Sequence, residues 1–347
     1  MTPLGPARLL SLQERYVPLI ENEMMRALQD RRLPHYGLMR YHLGWEDREG
    51  RPERWFKGKM LRPLLCLLSC EAVGGNAENA LPAAAALEFL HNFSLIHDDI
   101  EDYSPERHGR ETLWKIWGIP LAVNAGDGMF ALAHVTVERL GETGLSPGKA
   151  LEIRRLLDVA SLELCEGQYL DLEYERRLDV TCKNYLDMAA DKTSALMSAA
   201  AAGGAVIGGA PPDVVGLFQE FGRNLGFAFQ IRDDILGIWG KSTEMGKPTG
   251  EDIYARKKSF PVVFALERSC GDERARLRAL YEKPELTAAD VEDVLAALDS
   301  VSAREESQKV AARYASRALN RLRGVKMAAE SRRNLKALAD YFVDREA

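Results

Sequence analysis

Apolar residues recur every three or four positions along nearly the whole chain, and no run alternates apolar with polar residues over the length of a strand. That pattern predicts helices almost throughout. The stretch from Leu81 to Asp102 shows it best, with Leu87, Leu90, Phe93 and Ile96 at successive three-residue steps, a stripe that faces a core. Thr287 with Asp290 predicts a capped helix start ahead of Val291, Val294 and Leu295, and Pro284 marks the break before it. Gly203-Gly204 and Gly208-Gly209, followed by Pro211-Pro212, mark a boundary, while Lys241 to Lys258, with Gly246, Pro248 and Gly250, reads as a loop. The C-terminal third is charged amphipathic helix. No repeat, low-complexity tract or linker interrupts the pattern, so residues 1–347 are expected to form one all-α domain, a helical bundle around a central cavity.

Two acidic clusters stand out against this apolar background. Asp98-Asp99-Ile100-Glu101-Asp102 follows Leu95 and Ile96, and Asp233-Asp234 follows Phe229 and Ile231, so both sets of carboxylates emerge from segments that otherwise favour burial. Residues four apart share a helix face, so Asp98 and Asp102 project together while Asp99 points aside. Like charges so placed repel unless a cation neutralises them. Hard divalent cations take oxygen ligands, and magnesium is commonly held by one or two carboxylates plus substrate phosphates. The clusters therefore read as a two-sided cage for a magnesium diphosphate, against the plainer alternative of solvated acidic faces.

A diphosphate also needs cations from the protein. Lys59 and Arg62 lie three apart in Gly58-Lys59-Met60-Leu61-Arg62-Pro63, Arg107 follows the first acidic cluster, and Lys192, Lys247 and Lys257 punctuate later segments. Arginine grips phosphate in a bidentate fork and lysine acts as a point charge. Each alone is weakly diagnostic, because single exposed charges are common and worth little.

Taken together, residues 40 to 262 resemble the trans-prenyl diphosphate synthases of the farnesyl and geranylgeranyl diphosphate synthase type. The motifs occur in the family's order: Gly58-Lys59 with Arg62-Pro63, Glu88 to His91, Leu95 to Asp102, Arg107 with Gly109, Gly126-Asp127, and Gly167-Gln168 with Asp171. Lys192-Thr193, Phe229 to Asp234, Gly246-Lys247-Pro248 and Lys257 with Pro261 complete the series. The resemblance implies the isoprenoid synthase fold, a homodimer, and a reaction in which magnesium, three ions per site, draws diphosphate from an allylic substrate. Isopentenyl diphosphate then attacks the allylic cation and a proton is lost. It further implies that Asp98, Asp102 and Asp233 ligate magnesium, with Asp99 and Asp234 supporting. Arg107, Lys192, Gln230, Lys247 and Lys257 would surround the allylic diphosphate. Lys59, Arg62, His91 and the position of His108 would hold isopentenyl diphosphate, and Thr193 with Gln230 would line the reacting centre.

Departures from the family pattern are informative. Gly237 stands where a third aspartate of the second cluster is common, and His108 replaces the second arginine of an Arg-Arg-Gly triplet, with Arg110 as a candidate substitute. Glu111 stands where a proline is usual. Phe93 and Ser94 lie five and four residues before Asp98, roughly 6 to 8 Å down the helix axis. By resemblance, an aromatic residue there limits growth, so Phe93 with the small Ser94 points to a product of fifteen to twenty carbons, farnesyl or geranylgeranyl diphosphate.

Other readings are weaker. His91 and His97 could suggest a transition metal, but the cluster is oxygen-rich where zinc prefers nitrogen and sulfur. A class I terpene cyclase would share the acidic motifs but has no need of Lys59, Arg62 and His91. A non-catalytic partner subunit should carry damaged metal motifs, and here the first is intact. Net charge of -6 excludes nucleic acid as the expected partner. The odd set Cys66, Cys70, Cys165, Cys182 and Cys270 lacks zinc-type pairing and fits reduced thiols in the cytoplasm, with Cys66 and Cys70 in apolar packing. The N-terminus has no signal-like apolar core, and the uncharged stretch between Thr193 and Pro212 has too little Leu, Ile or Phe for a membrane span, so an interior helix is expected and no stable membrane insertion.

Overall fold

The computed structural model describes residues 4–55, 58–240 and 250–344. They are overwhelmingly helical, as the periodicity predicts. Contacts gather the chain into two compact units. One comprises Met1–Val159, Ala199–Phe218 and Val325–Ala337, and the other Ala160–Ser198, Gln219–Gly324 and Leu338–Ala347.

In the first unit the helix Leu81–Glu101 packs along Ile119–Val137, with Leu4–Leu28 and Leu61–Ala72 also against it. The predicted stripe is the reason. Leu87, Leu90, Phe93 and Ile96 are all buried, and the run Ala83 to Ala86 removes bulk so that neighbouring helices approach closely. Each fully buried Leu or Phe of this core, such as Leu64 or Phe89, contributes about 2 kcal/mol of transfer free energy. Cys66 and Cys70 are buried within Leu61–Ala72, in apolar packing.

The stretch rich in Ala and Gly forms an interior helix, Ala195–Ile207, with Ala200, Ala201, Ala202 and Ala205 fully buried. Gly203-Gly204 was expected to break it and does not. A Cβ at Gly204 would lie 2.1 Å from the Cys66 carbonyl oxygen, so the glycine serves close helix packing, and the chain turns only at Gly208-Gly209. Among the described residues, no helix is long and apolar enough to cross a membrane.

The second unit is built on two apolar clusters. Tyr185, Ile231, Ile235 and Val263 centre the first, and Ile238, Ile253, Val262 and Val294 the second. Capping boxes open two of its helices, Thr181 with Asn184 before Cys182–Ala189 and Thr287 with Asp290 before Ala288–Ser300, the latter as the sequence predicts. Between Cys182–Ala189 and Ala195–Ile207 lies one π-helical turn, Ala190–Ser194, which carries Lys192 and Thr193. Such wide turns concentrate at functional sites because they re-aim side chains. The expected loop from Lys241 to Lys258 contains a helical turn, Glu251–Tyr254, that its Gly and Pro content concealed. Residues 241–249 of that stretch lie outside the described residues.

A two-residue hairpin also escaped the helical pattern. Glu106–Arg107 pairs antiparallel with Arg110–Glu111, and the turn places His108 and Gly109 at φ 53° and 72°. Two-residue turns of this hand need positive φ at both central positions, which glycine adopts freely and histidine more readily than bulkier residues.

Candidate active site

In the first unit, the acidic cluster occupies the last turn of Leu81–Glu101, with Asp102 as its C-cap. Carboxylates at the negative end of a helix dipole are disfavoured, so the cluster requires cations. Arg107 supplies one. Its Nε donates to Asp99 Oδ1 at 2.8 Å and its Nη2 to Asp98 Oδ2 at 3.2 Å. Asp99 is buried and Asp98 is partly exposed, as expected of neighbours on different helix faces. Burial lifts the Asp99 carboxyl to about 6, against the pull of the Arg107 guanidinium.

Beside this cluster lies a pocket lined by His91, Asn92, Asp99, Arg107, His108 and Arg110, and closed partly by Trp45 and Trp55. Burial, followed by the charges of Arg62 and Arg107, pushes His91 well below its ordinary range, so it stands neutral at pH 7. His42 is driven down to about 3, by burial first and Arg107 second. Asn92 donates to the Glu88 carboxylate at 3.1 Å, and a Cβ at Gly58, which precedes Lys59, would lie 3.7 Å from the same carboxylate.

Arg110, which lines the pocket with His108, is also engaged by the protein. Its guanidinium donates to the carbonyls of Tyr41 (3.1 Å) and Glu46 (2.7 Å), pairs with Glu53 at 3.0 Å, and stacks 3.6 Å from the Tyr41 ring centroid. It holds the hairpin in place, whereas His108 is exposed on the turn and reaches the pocket.

Phe93 is buried, meeting Phe130 edge to face at 5.1 Å and His97 at 5.8 Å between centroids. His97 in turn lies over Gly126, where a Cβ would collide with its ring, and its Nε2 is 3.7 Å from Asp127. Ser94 donates back to the His91 carbonyl at 2.7 Å.

In the second unit, the helix Pro212–Trp239 carries Gln230, Asp233 and Asp234. Asp233 is exposed and Asp234 is buried. Three donors converge on Asp234: Gln230 Nε2 at 2.9 Å, the Tyr185 hydroxyl at 2.6 Å and the Phe260 N–H at 2.6 Å. Thr193 donates to Gln230 Oε1 at 2.5 Å, which fixes the amide so that its NH₂ faces Asp234. Burial and the nearby Asp252 raise the Asp234 carboxyl to about 7 despite these bonds.

Lys192 Nζ pairs with Asp171 at 2.5 Å. Gly167, one turn earlier on the same helix, allows this: a Cβ there would lie 2.1 Å from the Lys192 backbone nitrogen. Lys257 follows the turn Glu251–Tyr254, its N–H donating to the Asp252 carbonyl at 2.9 Å. Next to it, Lys258 is buried, donates to the Glu175 carbonyl at 3.0 Å and is lowered to about 8 by burial. Lys247 lies outside the described residues.

The structure thus brings Lys59, Arg62, His91, Phe93, Ser94, Asp98, Asp99, Asp102, Arg107 and His108 into the first unit, and Lys192, Thr193, Gln230, Asp233, Asp234 and Lys257 into the second. Sequence reasoning missed Tyr185, Asp252 and Lys258. Asp171 was visible as a motif residue, but no spacing rule ties it to a lysine twenty-one positions on.

The donor set fits magnesium. Asp98 and Asp102 in the first unit and Asp233 in the second are hard oxygen donors of the kind that magnesium takes. Among the described residues no three His, Cys, Asp or Glu side chains converge into a ready-made metal site.

Residues 54–298 match the family model described as polyprenyl synthetase. A (2E,6E)-farnesyl diphosphate synthase of Mycobacterium tuberculosis is 38% identical over 330 residues, covering 93% of this chain and 90% of that protein. A geranylgeranyl diphosphate synthase of the same organism is 37% identical over 288 residues, 82% of this chain and 81% of that protein. The crystal structure of a polyprenyl synthetase from Streptomyces coelicolor superposes with a TM-score of 0.89 at 35% identity, covering 96% of this chain and 99% of that one.

Proposed function

The chain belongs to the polyprenyl synthetase family and is a prenyltransferase of the short-chain trans-prenyl diphosphate synthase type; from that premise we propose that it joins isopentenyl diphosphate to an allylic diphosphate, making geranylgeranyl or farnesyl diphosphate. One observation carries the site assignment. In each acidic cluster one aspartate is buried and held by the protein, Asp99 by Arg107 and Asp234 by Tyr185, Gln230 and Phe260, while its neighbour, Asp98 or Asp233, stays more exposed. Asp98, Asp102 and Asp233 are the proposed magnesium ligands.

Bound magnesium would stabilise the charge that develops on the departing diphosphate. The protein's own part is positioning and charge. Arg107, Lys192, Lys247 and Lys257 hold the allylic diphosphate. Lys59, Arg62, neutral His91 and His108 hold isopentenyl diphosphate. The Thr193 hydroxyl and the Gln230 carbonyl line the reacting centre with their dipoles. Residues 1–347 act as one catalytic domain, a reading supported by a family match that runs through segments of both units. The enzyme works as a cytoplasmic homodimer; exposed Leu121, Val123 and Val135 on one helix support the association.

The test is incubation of the purified protein with magnesium, isopentenyl diphosphate and each of the five-, ten- and fifteen-carbon allylic diphosphates, with mass analysis of products. Linear diphosphates of fifteen or twenty carbons are expected, and cyclic hydrocarbon would overturn the assignment. Phe93→Ala should lengthen the product by at least one five-carbon unit, because it empties the buried aromatic position five residues before Asp98. An unchanged distribution would locate the length limit elsewhere.

A further inference from the structure

One wall of the pocket that holds His91 and Arg107 comes from a surface segment, residues 43–55, which no motif accounts for. After the helix Pro34–His42 the chain runs out and returns on itself. The Trp45 N–H donates to the Arg40 carbonyl (2.9 Å), the Glu53 N–H to the Trp45 carbonyl (2.8 Å) and the Trp55 N–H to the Gly44 carbonyl (3.0 Å). Gly44 and Gly50 permit the reversals at φ 73° and 76°. At the tip, Asp47 Oδ1 accepts from the N–H groups of Glu49 (3.0 Å) and Arg51 (2.9 Å), which stiffens the turn. Both tryptophans therefore stand at the base of a closed loop, and both line the pocket. Trp55 is 41% exposed, so it meets the pocket on one side and water on the other.

The segment is fastened to the hairpin. Arg110 donates to the Glu46 carbonyl at 2.7 Å and pairs with Glu53 at 3.0 Å. Arg48 pairs with Glu111 at 2.7 Å, and Trp55 Nε1 donates to the His108 carbonyl at 3.4 Å. Tyr41, just ahead of the segment, donates its hydroxyl to the Glu111 carbonyl at 2.9 Å. Two of the three hairpin residues engaged, His108 and Glu111, are departures from the family pattern, and a proline at position 111 could form no ion pair with Arg48. A charged segment with so exposed a tip ordinarily runs free over the surface. Here it covers a pocket whose histidines sense little water. Burial is the leading cause that lowers His42 and His91, ahead of Arg107, His108 and Arg110 around the first and Arg62, Arg107, His42 and His108 around the second.

We propose that residues 43–55 form a strap that seals the isopentenyl diphosphate pocket from water, and that Glu53, Trp55, Arg110 and Glu111 are positioning residues that fasten it. This rests on the prenyl synthase reading of the pocket. A diphosphate is drawn to the surrounding cations far more strongly when water is kept out, because the local dielectric falls. Unfastened, the strap admits the substrate; fastened, it excludes water and slows escape. The hairpin thus acts through both strands: Arg107 on the first grips the acidic cluster, and Arg110 with Glu111 on the second holds the strap.

The test compares wild type, Trp55→Ala and the double variant Glu53→Gln/Glu111→Gln. Histidine titration is followed by NMR in the substrate-free protein, and isopentenyl diphosphate binding by calorimetry without an allylic partner. In Trp55→Ala, His42 and His91 should rise toward the ordinary 6.5. Isopentenyl diphosphate should bind about 10-fold more weakly and with a steeper dependence on salt, because water and counterions reach the site. The double variant keeps both tryptophans and changes only partly exposed acids, so it should fold and show the same changes at smaller size. In elongation the Michaelis constant for isopentenyl diphosphate should rise in parallel while that for the allylic diphosphate holds. Unmoved histidines or unchanged binding in Trp55→Ala, or equal rises in both Michaelis constants, would overturn the proposal. Failure of wild type to bind isopentenyl diphosphate would count against the function itself, and the histidine shifts would still decide whether the strap seals the pocket.

Discussion

The two acidic clusters solve the same problem in different ways. In the first, the buried Asp99 is neutralised by a full charge, the Arg107 guanidinium, which it shares with Asp98. In the second, the buried Asp234 is held by neutral donors alone, a phenol, an amide and a backbone N–H. A guanidinium on a hairpin can exchange carboxylate for phosphate at small cost, because both are anions of suitable geometry. Three converging dipoles from three elements cannot be exchanged and fix the helix instead. The first cluster is therefore built to trade partners, and the second to stay rigid.

The largest effect should come from the more exposed carboxylates, the proposed magnesium ligands. Asp98→Ala should lower elongation by about two to three orders of magnitude, on the scale of losing a principal transition-state contact, with the unfolding midpoint nearly unchanged. Steady-state rates and a urea titration of the same sample check it. The buried pair should behave in the opposite sense and differ from each other. Asp234→Ala strands the Tyr185 hydroxyl, the Phe260 N–H and the Gln230 amide, and should cost about 3 kcal/mol of stability. Asp99→Ala leaves Arg107 with Asp98 and should cost about 1 kcal/mol. Equal losses in urea unfolding would erase the distinction between a tradable and a fixed cluster.

Legibility in the sequence followed the same division. Helix content, the core stripe through Leu87 and Ile96, the Thr287 cap and both acidic clusters are local patterns, and local patterns are what a sequence displays. Tyr185 joins Asp234 across forty-nine positions, and Asp252 meets Gly237 through a fold no periodicity encodes. Gly203-Gly204 misled for a related reason. A glycine read alone signals a break, and only the Cys66 carbonyl packed against it shows that it serves helix contact. The hairpin at His108 is too short to alternate.

Acid and base should separate the two regions as well. His42 titrates near 3 in the folded state, below its ordinary 6.5, so the folded protein resists the proton that the unfolded chain accepts. Its contribution is present above about pH 6.5 and is lost as pH falls toward 3. Asp234 is raised to about 7 from an ordinary 3.8, so the folded state holds a proton the unfolded chain has released. Its contribution is present at low pH and is lost as pH rises from about 4 to 7. In metal-free buffer, His42→Asn should flatten the acid limb of a stability profile, and Asp234→Asn the limb toward neutrality. If each substitution flattens the other's limb, the assignment of the two titrations is wrong.

The smallest expected effect lies at the hairpin. Arg110, the obvious substitute for a cation at position 108, lines the pocket but is engaged by Tyr41, Glu46 and Glu53, and position 108 carries no arginine. His108→Arg restores a permanent cation on an exposed turn, where a single charge is worth well under 1 kcal/mol in water. The Michaelis constant for isopentenyl diphosphate should fall about twofold to fivefold, with turnover unchanged and the effect shrinking as salt is added. A constant unchanged by the substitution would mean that the bound diphosphate does not reach the turn. Arg107, gripping the acidic cluster from the strand before it, would then be the hairpin's one contribution to the substrate.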